Sequence, residues 1–396
     1  MKKFLLSLLS AAAISPAFAG GYCFDHGPYL QDLAEDRCAV VFTTSAKGFS
    51  WVELENGDEP PKRFYRTVDG NRMADNTFNS IFIAGLSPAT EYRYRLVSKE
   101  ITNFVTSFVE FGDSICSPWY SFRTFDPSVE RFSFIGLSDI HEDTLKLRRL
   151  LDIGDVDSCD MVFYIGDMQG HVTEDMNPWD CYLDTSVDIF ASNKPFWFVR
   201  GNHETRGYLA PYYKQYFPSE SDKYYRTLRY GNTAFLMLDC GEDKEDGHPY
   251  YAGMNDFGAY RSEQAEWLRK AIEEEEFKTA RYRILLMHFP PADAAHGVPE
   301  VDSEHGIGDV AEKWLDILNG AGIDLAIVGH MHYFADIPAH PEANRFPVLL
   351  NSNDSAARID VDPEGITVRA FDSKGNTLLE RRIAPDASHS QNSRKR

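Results

Sequence analysis

Residues 324–334 read DLAIVGHMHYF. The apolar run from Leu325 to Val328 is too short for a helix and reads as a buried strand. It stops at Gly329 and delivers His330 and His332 one residue apart. Residues two apart in an extended chain face the same side. The two imidazoles are therefore candidate metal ligands, able to serve two ions rather than one.

Working outward, the same arrangement recurs. The strand candidate 282–287 is followed by His288, and 196–199 by Arg200-Gly201-Asn202-His203-Glu204. Strand 161–165 runs into Gly166-Asp167, and strand 132–137 into Ser138-Asp139-Ile140-His141. Residues 233–238 form a further strand candidate, with Cys240 just after it. Ser262 is a plausible N-cap for a helix reaching about Phe277, with Ala265, Leu268, Ala271 and Ile272 on one face. The Glu273 to Glu276 run then forms its solvated side. Strands alternating with helical segments predict an α/β domain with a largely parallel sheet.

In such a sheet the carboxyl ends of the strands lie along one rim, so groups distant in sequence converge there. Asp, Asn and His without Cys form a nitrogen and oxygen set suited to Zn, Fe, Mn or Ni rather than to a sulfur-rich structural zinc site. Gly166, Gly201 and Gly329 would let the backbone turn sharply at the strand ends. Taken singly, a Gly-Asp pair is usually a turn and Asn-His-Glu a helix start. Five such groups in order, each just after an apolar strand, point to one site.

Residues 22–126 have a different texture, with short strands at 39–44, 78–84, 91–97 and 119–124 and turns at Asn56-Gly57-Asp58 and Asp69-Gly70-Asn71. The stretch GLSPATEYRYRL, residues 85–96, resembles a fibronectin type III sandwich, with Tyr92 near the usual corner tyrosine. Strands near 357–361, 366–371 and 377–382 are expected inside the catalytic domain, closing a second sheet as antiparallel strands.

At the N-terminus, Lys2 and Lys3 precede the apolar residues 4–14, and Ala17-Phe18-Ala19 has the form of a signal peptidase site. The expected organisation is a signal peptide at 1–19, an all-β sandwich at 20–126, a catalytic domain at 127–384 and a disordered tail at 385–396. The mature chain is expected to be exported, to a periplasm or the cell exterior, with no membrane span. A net charge of −21 argues against a stable nucleic-acid complex. Export permits disulfides, and the six cysteines are expected to form one to three bridges, with Cys240 the candidate for a buried thiol.

The ordered series Asp139-x-His141, Gly166-Asp167, Gly201-Asn202-His203-Glu204, His288 and Gly329-His330-x-His332 resembles the complete motif set of the calcineurin-like metallophosphoesterases. The resemblance covers roughly residues 131–335. It implies a four-layer α/β/β/α sandwich and a dinuclear site for two divalent transition-metal ions, Fe, Mn or Zn. By that resemblance one ion takes Asp139, His141, Asp167 and His332, and the other Asp167, Asn202, His288 and His330. Asp167 would bridge the two. Two such ions lower the pKa of a shared water and clamp phosphoryl oxygens. The implied activity is hydrolysis of phosphomonoesters or phosphodiesters by a bimetal-bridged hydroxide, with His203 assisting the leaving group. Glu204 is free to act purely from behind the ligands.

A β-sandwich ahead of such a domain is also the arrangement of purple acid phosphatases. This chain departs from them by carrying Gly170 three residues after Asp167, where they have a tyrosine, and by carrying His141. No tyrosinate-to-iron colour is expected. Arg200 and Arg206 flank the third motif and can meet a phosphate, with Arg206 the candidate substrate contact. His171, His248, His296 and His305, with Trp179, Tyr250 and Tyr251, read first as surface, core or rim residues. A nucleotide or cyclic-nucleotide diesterase and a catalytically inactive cell-surface binding protein stand as alternatives.

Overall fold

The structure is a computed structural model that describes residues 21–221, 223–291 and 305–385. The expected signal peptide, His296 and all but the first residue of the expected tail lie outside them.

From Phe132 onward, two six-stranded sheets face each other. The first runs in the order Phe196–Val199, Met161–Ile165, Phe132–Leu137, Ser355–Asp362, Gly365–Asp372, Thr377–Ile383. Its first three strands are parallel and the rest antiparallel. The second runs Arg226–Tyr230, Thr233–Met237, Tyr282–Leu286, Leu325–Val328, Val348–Leu350, Ala335–Ile337, with a parallel centre and antiparallel edges.

Every residue of Phe132–Leu137, Met161–Ile165, Tyr282–Leu286 and Leu325–Val328 is buried, because these strands are covered on both faces. One face of each packs between the sheets, where Phe134, Phe163, Trp197, Phe235, Ile284 and Ile327 meet. The other face meets helices. Ile135 and Val162 pack with Leu147, Leu150 and Leu151 of the helix Thr144–Ile153. Leu236, Leu285 and Ala326 pack with Leu268 and Trp314 of the helices Phe257–Ala271 and His305–Gly320. The result is the four-layer α/β/β/α sandwich. Each large side chain buried this way contributes roughly 1.5–3 kcal/mol.

The parallel strands divide between the two sheets that the four-layer sandwich requires. Two expectations change. The three C-terminal strands extend the first sheet rather than closing the second, because Ser355–Asp362 pairs antiparallel with Phe132–Leu137, Phe134 opposite Ile359. The helix expected from Ser262 begins at Phe257 and ends at Ala271, with a separate short helix at Glu275–Lys278. Its first N–H groups, those of Phe257 and Gly258, donate to the Asp246 carboxylate at 2.7 and 2.9 Å. That cap comes from outside the helix, which a local signal cannot reveal. Ser262 lies inside the helix, its hydroxyl donating to the Gly258 carbonyl at 2.9 Å.

The N-terminal unit is all-β, built on the 20-residue strand Arg37–Asn56 and the 15-residue strand Glu91–Val105. The first half of Arg37–Asn56 pairs with Asn76–Ala84, and the second half with Glu91–Val105 and Glu59–Phe64. The Tyr92 hydroxyl accepts the Ser87 N–H at 2.8 Å, as a tyrosine corner does. The unit shares its core with the catalytic part, since Phe42, Tyr94 and Phe122 belong to the same cluster as Phe134 and Trp197. Gln31 donates to the Phe196 carbonyl at 2.9 Å and Tyr94 to that of Ser192 at 2.7 Å.

All six cysteines are free thiols, not the expected bridges. Cys38 packs in the core that the β unit shares with the catalytic part, Cys159 and Cys181 under the first helical layer and Cys240 under the second, while Cys116 is exposed. Among the described residues, no helix is long and apolar enough to cross a membrane.

Candidate metal centre

The parallel strands of both sheets end at a common rim. Asp139 and His141 follow Phe132–Leu137, Asp167 follows Met161–Ile165, and Asn202 and His203 follow Phe196–Val199. His288, His330 and His332 come from the facing sheet. The strand ends are laced together: the Asp139 N–H donates to the Gly166 carbonyl at 3.0 Å and the His141 N–H to that of Asp167 at 3.1 Å. The His330 N–H donates to Asp139 Oδ2 at 2.9 Å, and the His203 N–H to Asp167 Oδ1 at 3.0 Å.

Asp139, His141, Asp167, His330 and His332 all have positive φ, between +48° and +74°. Residues with a side chain adopt this region at a cost of order 1–3 kcal/mol each, and such positions cluster at functional sites. His330 and His332 therefore do not continue the strand. Of the three glycines, Gly166 turns with φ +84°, but Gly201 and Gly329 serve by their lack of a side chain. A Cβ on Gly201 would stand 2.1 Å from Asp167 Oδ1, and one on Gly329 2.6 Å from Asp139 Oδ2.

The side chains gather in two groups, Asp139 with His141 and His332, and Asp167 with His288 and His330. Within each group the candidate ligand atoms lie within 4.8 Å of one another. In the first, His141 Nε2 and His332 Nε2 are 3.2 Å apart, and His332 Nε2 is 3.3 Å from Asp139 Oδ1. In the second, His288 Nε2 is 3.2 Å from Asp167 Oδ2. Asn202 Oδ1 lies 3.1 Å from His288 Nε2 and 3.0 Å from His330 Nδ1. Asp167 also groups with His141 and His203, which places it between the two clusters. His330 and His332, separated only by Met331, thus belong to different groups.

These residues fit a pair of cations. Asp139 Oδ1 is buried without a hydrogen-bond partner, which is costly unless a cation answers it. His288 Nδ1 donates to the Ile165 carbonyl at 2.8 Å, aiming Nε2 inward. Burial disfavours charge on His288, but the carboxylates of Asp167 and Asp139 outweigh it and push its pKa up to about 10. Burial likewise works against the Asp167 carboxylate, yet the neighbouring histidines hold it well below the usual range. For His332, the nearby Asp139 carboxylate raises the pKa; for His141, burial lowers it.

Behind the ligands, the two buried oxygens of Glu204 accept the N–H groups of Met168 at 2.7 Å, Gly201 at 2.9 Å, Asp167 at 3.0 Å and Gln169 at 3.3 Å. Burial and the Asp167 charge raise its pKa to about 8, against these four donors. His203 Nδ1 is 2.8 Å from the Gly170 carbonyl and Nε2 is 3.0 Å from Arg206 Nη1. Burial lowers the pKa of His203.

Neither arginine stands free for a phosphate. Arg200 pairs with Asp239 at 2.7 Å and lies over the Tyr224 ring. Arg206 grips Glu242 at 2.8 and 3.0 Å and reaches Asp243 at 3.1 Å. Trp179 is buried against His26, His248 caps a short helical turn at Tyr250 N, and His305 is exposed at a helix start. Tyr250 is exposed, while the buried Tyr251 accepts from Arg206 Nε at 3.2 Å.

Sequence reasoning missed Asp239, Glu242 and Asp243. They follow the strand Thr233–Met237, so the strand-end rule that found the ligands reaches them too.

Comparison with known proteins bears on this rim directly. The calcineurin-like phosphoesterase description matches residues 132–334, just over half of the chain and all of the candidate ligands. The chain belongs to the calcineurin-like phosphoesterase family. This phosphoesterase is accordingly a metal-dependent hydrolase of phosphoric esters, with candidate Asp and His ligand groups at its rim. Its fold is similar to that of a purple acid phosphatase from yellow lupin (Lupinus luteus) seeds, with a TM-score of 0.66 at 16% identity, covering 91% of this chain and 74% of the other. It is also similar to that of PhoD, with a TM-score of 0.58 at 13% identity, covering 95% and 97%. Both likenesses include the N-terminal β unit. No curated protein matches this phosphoesterase in sequence.

Proposed function

We propose that this protein is an exported phosphoesterase that cleaves phosphomonoesters or phosphodiesters at a dinuclear centre. The observation that carries the reading is the division of His330 and His332 between two Asp/His groups that a third, Asp167 with His141 and His203, links. Asp139, His141, Asp167 and His332 would hold one ion, and Asp167, Asn202, His288 and His330 the other. When bound, two divalent ions activate water near neutral pH and polarise phosphoryl oxygens.

The chain's own residues do the rest. His288, fixed through Nδ1, presents Nε2 as a ligand atom. Glu204 gathers the backbone N–H groups of Asp167, Met168, Gln169 and Gly201 and so holds the Asp167 turn at the centre of the rim. His203 stands 3.8 Å from Asp167 Oδ2 and is the group placed to serve the departing oxygen. Gly170 offers no phenolate, and only its carbonyl turns inward, to His203. Lys2, Lys3 and the apolar residues after them support export.

The test is metal analysis of the purified chain beside a panel of p-nitrophenyl mono- and bis-esters, which separates mono- from diesterase action. Chelation is expected to abolish hydrolysis. His330→Ala and His332→Ala should each lower metal content and reduce the rate by at least about 100-fold, beyond the 10–100-fold typical of groups that merely support ligands. Hydrolysis that survives chelation, or is unchanged in both variants, would remove the reaction from this rim.

A further inference from the structure

Of the two ends of the Asn202 amide, only the oxygen can bind a cation, because the N–H end offers no lone pair. Asn202 is buried, with Oδ1 3.1 Å from His288 Nε2 and 3.0 Å from His330 Nδ1. Its backbone is held, since the Asn202 carbonyl accepts the Thr205 hydroxyl at 2.7 Å and the Thr205 N–H at 3.2 Å. What remains is rotation of the amide about its own bond, which exchanges oxygen for nitrogen. The two imidazoles do not forbid that exchange, because a histidine nitrogen can accept a hydrogen or give one.

Asp243 does forbid it. Asn202 Nδ2 donates to Asp243 Oδ2 at 3.2 Å, and an ionised carboxylate can only accept. An amide turned over would set oxygen against oxygen and leave a buried N–H without its acceptor, which is costly away from water. Asp243 is itself fixed. Arg206 Nη2 donates to the same oxygen at 3.1 Å, and Lys244 Nζ to the other at 2.6 Å. The Asp243 carbonyl accepts the Gly306 N–H at 2.7 Å, and a Cβ on Gly306 would stand 2.8 Å from the Asp243 Cα, so the helix His305–Gly320 closes directly on this backbone. Just ahead, the buried Arg261 donates to the carbonyls of Cys240 and Glu242.

We propose that Asp243 is a positioning residue that decides which end of the Asn202 amide faces the rim, and thereby sets how tightly Asp167, Asn202, His288 and His330 hold their ion. This rests on the reading of Asn202 as a ligand given above. Asp139, His141 and His332 belong to the other group, so the effect is expected on one ion of the two. Removing a negative charge near a cation weakens binding by itself, and the variants are chosen to separate that effect from the aim of the amide.

The experiment titrates the metal-free full chain with Mn2+. It records ions bound per chain, Tm, and the electron paramagnetic resonance spectrum, which distinguishes an isolated Mn2+ from a close pair. The variants are Asp243→Ala, Asp243→Asn, Asn202→Ala and Asn202→Ala/Asp243→Ala. Asp243→Ala is expected to bind the first ion within about threefold of the unaltered chain and the second about 10–100-fold more weakly, as loss of a group supporting a ligand does, so the paired spectrum appears only at higher Mn2+. Asp243→Asn removes the charge but keeps an oxygen, which the Arg206 donor selects for that position, and should weaken the second ion by less than about threefold. In the Asn202→Ala background, Asp243→Ala should cost nothing further. Equal weakening by Asp243→Ala and Asp243→Asn, a loss that persists without Asn202, or two ions weakened alike overturns the proposal, as does an Asp243→Ala protein that fills both sites normally. If Asn202→Ala itself binds both ions normally, the ligand reading fails first, and the two failures are told apart. Should Asp243→Ala not fold, Asp243→Leu, close to aspartate in shape, carries the same comparison.

Discussion

Gly201 and the Asp167 carboxylate occupy a space that admits no methyl group. An added Cβ would approach Asp167 Oδ1 to 2.1 Å and the Asp167 backbone nitrogen to 2.4 Å, and neither is the free end of a flexible chain. Gly201→Ala is therefore expected to displace the carboxylate that stands between the two groups. It should lose bound metal, reduce kcat by at least about tenfold, and lower stability by about 1–3 kcal/mol as an overpacked site does. Gly308→Ala, where nothing lies within 4 Å of the added carbon, is the matched control. Metal analysis and a melting curve decide the matter, and a Gly201→Ala protein with full metal and full rate would contradict the geometry. At this scale the candidate ligands that gather at the rim were legible, because Asp, Asn and His after apolar runs announce themselves. The reason for the glycines was not: the turn conformation falls largely on the ligand residues, and Gly201 and Gly329 are small because of neighbours remote in sequence.

Among the elements, the helix Phe257–Ala271 separates local signals from tertiary ones. Ser262 has the composition of an N-cap, yet the cap is supplied by Asp246, eleven residues ahead of the first helical residue. Replacing a true N-cap serine by alanine costs about 1 kcal/mol. Inside an exposed helical turn the same change removes a residue that competes with the helix and gains a few tenths of a kcal/mol. Ser262→Ala should therefore leave stability unchanged or raise it slightly, while Asp246→Ala lowers it by about 1 kcal/mol; urea unfolding of the two variants measures both, and a destabilised Ser262→Ala would restore the helix start read from the sequence. Strand positions were legible because residues buried on both faces produce unbroken apolar runs, and the runs at 132–137, 161–165, 196–199 and 325–328 match the strands observed. Partnership was not legible, since a strand carries no mark of which sheet it joins.

For the molecule as a whole, the contact between the β unit and the catalytic part is a place where pH should act. His26 stacks on Trp179, with ring centroids 4.9 Å apart, and its Nδ1 is 2.8 Å from Asp184. Burial alone would lower the His26 pKa, but the hydrogen bond to Asp184 and its charge outweigh this, so the folded value is raised. A raised value means that the protonated form is favoured by folding. The stabilisation is thus fully present below the unfolded pKa of about 6.5 and fades as pH rises through the higher folded value. Because Asp184 is 41% exposed, its size is below about 1 kcal/mol. The difference in Tm between the protein and His26→Ala should shrink from pH 5.5 to pH 8.5, and a difference that grows over that range would reverse the sign. The shared core, which joins Phe42 and Tyr94 to Phe134 and Trp197, leads us to expect one cooperative transition.

Taken alone, the amino-acid order determined which residues could bind metal, where the parallel strands run, and that an all-β unit precedes an α/β one. Those features are written in local chemistry: apolar runs, turn residues, and the kind of side chain that follows each strand. Tertiary structure alone decided which strand joins which sheet, and that the cysteines stay unpaired in separate regions. It also decided that Arg206 faces Glu242 rather than open solvent. Each of these depends on which distant segments come into contact, and contact is a property of the packed chain rather than of any stretch within it.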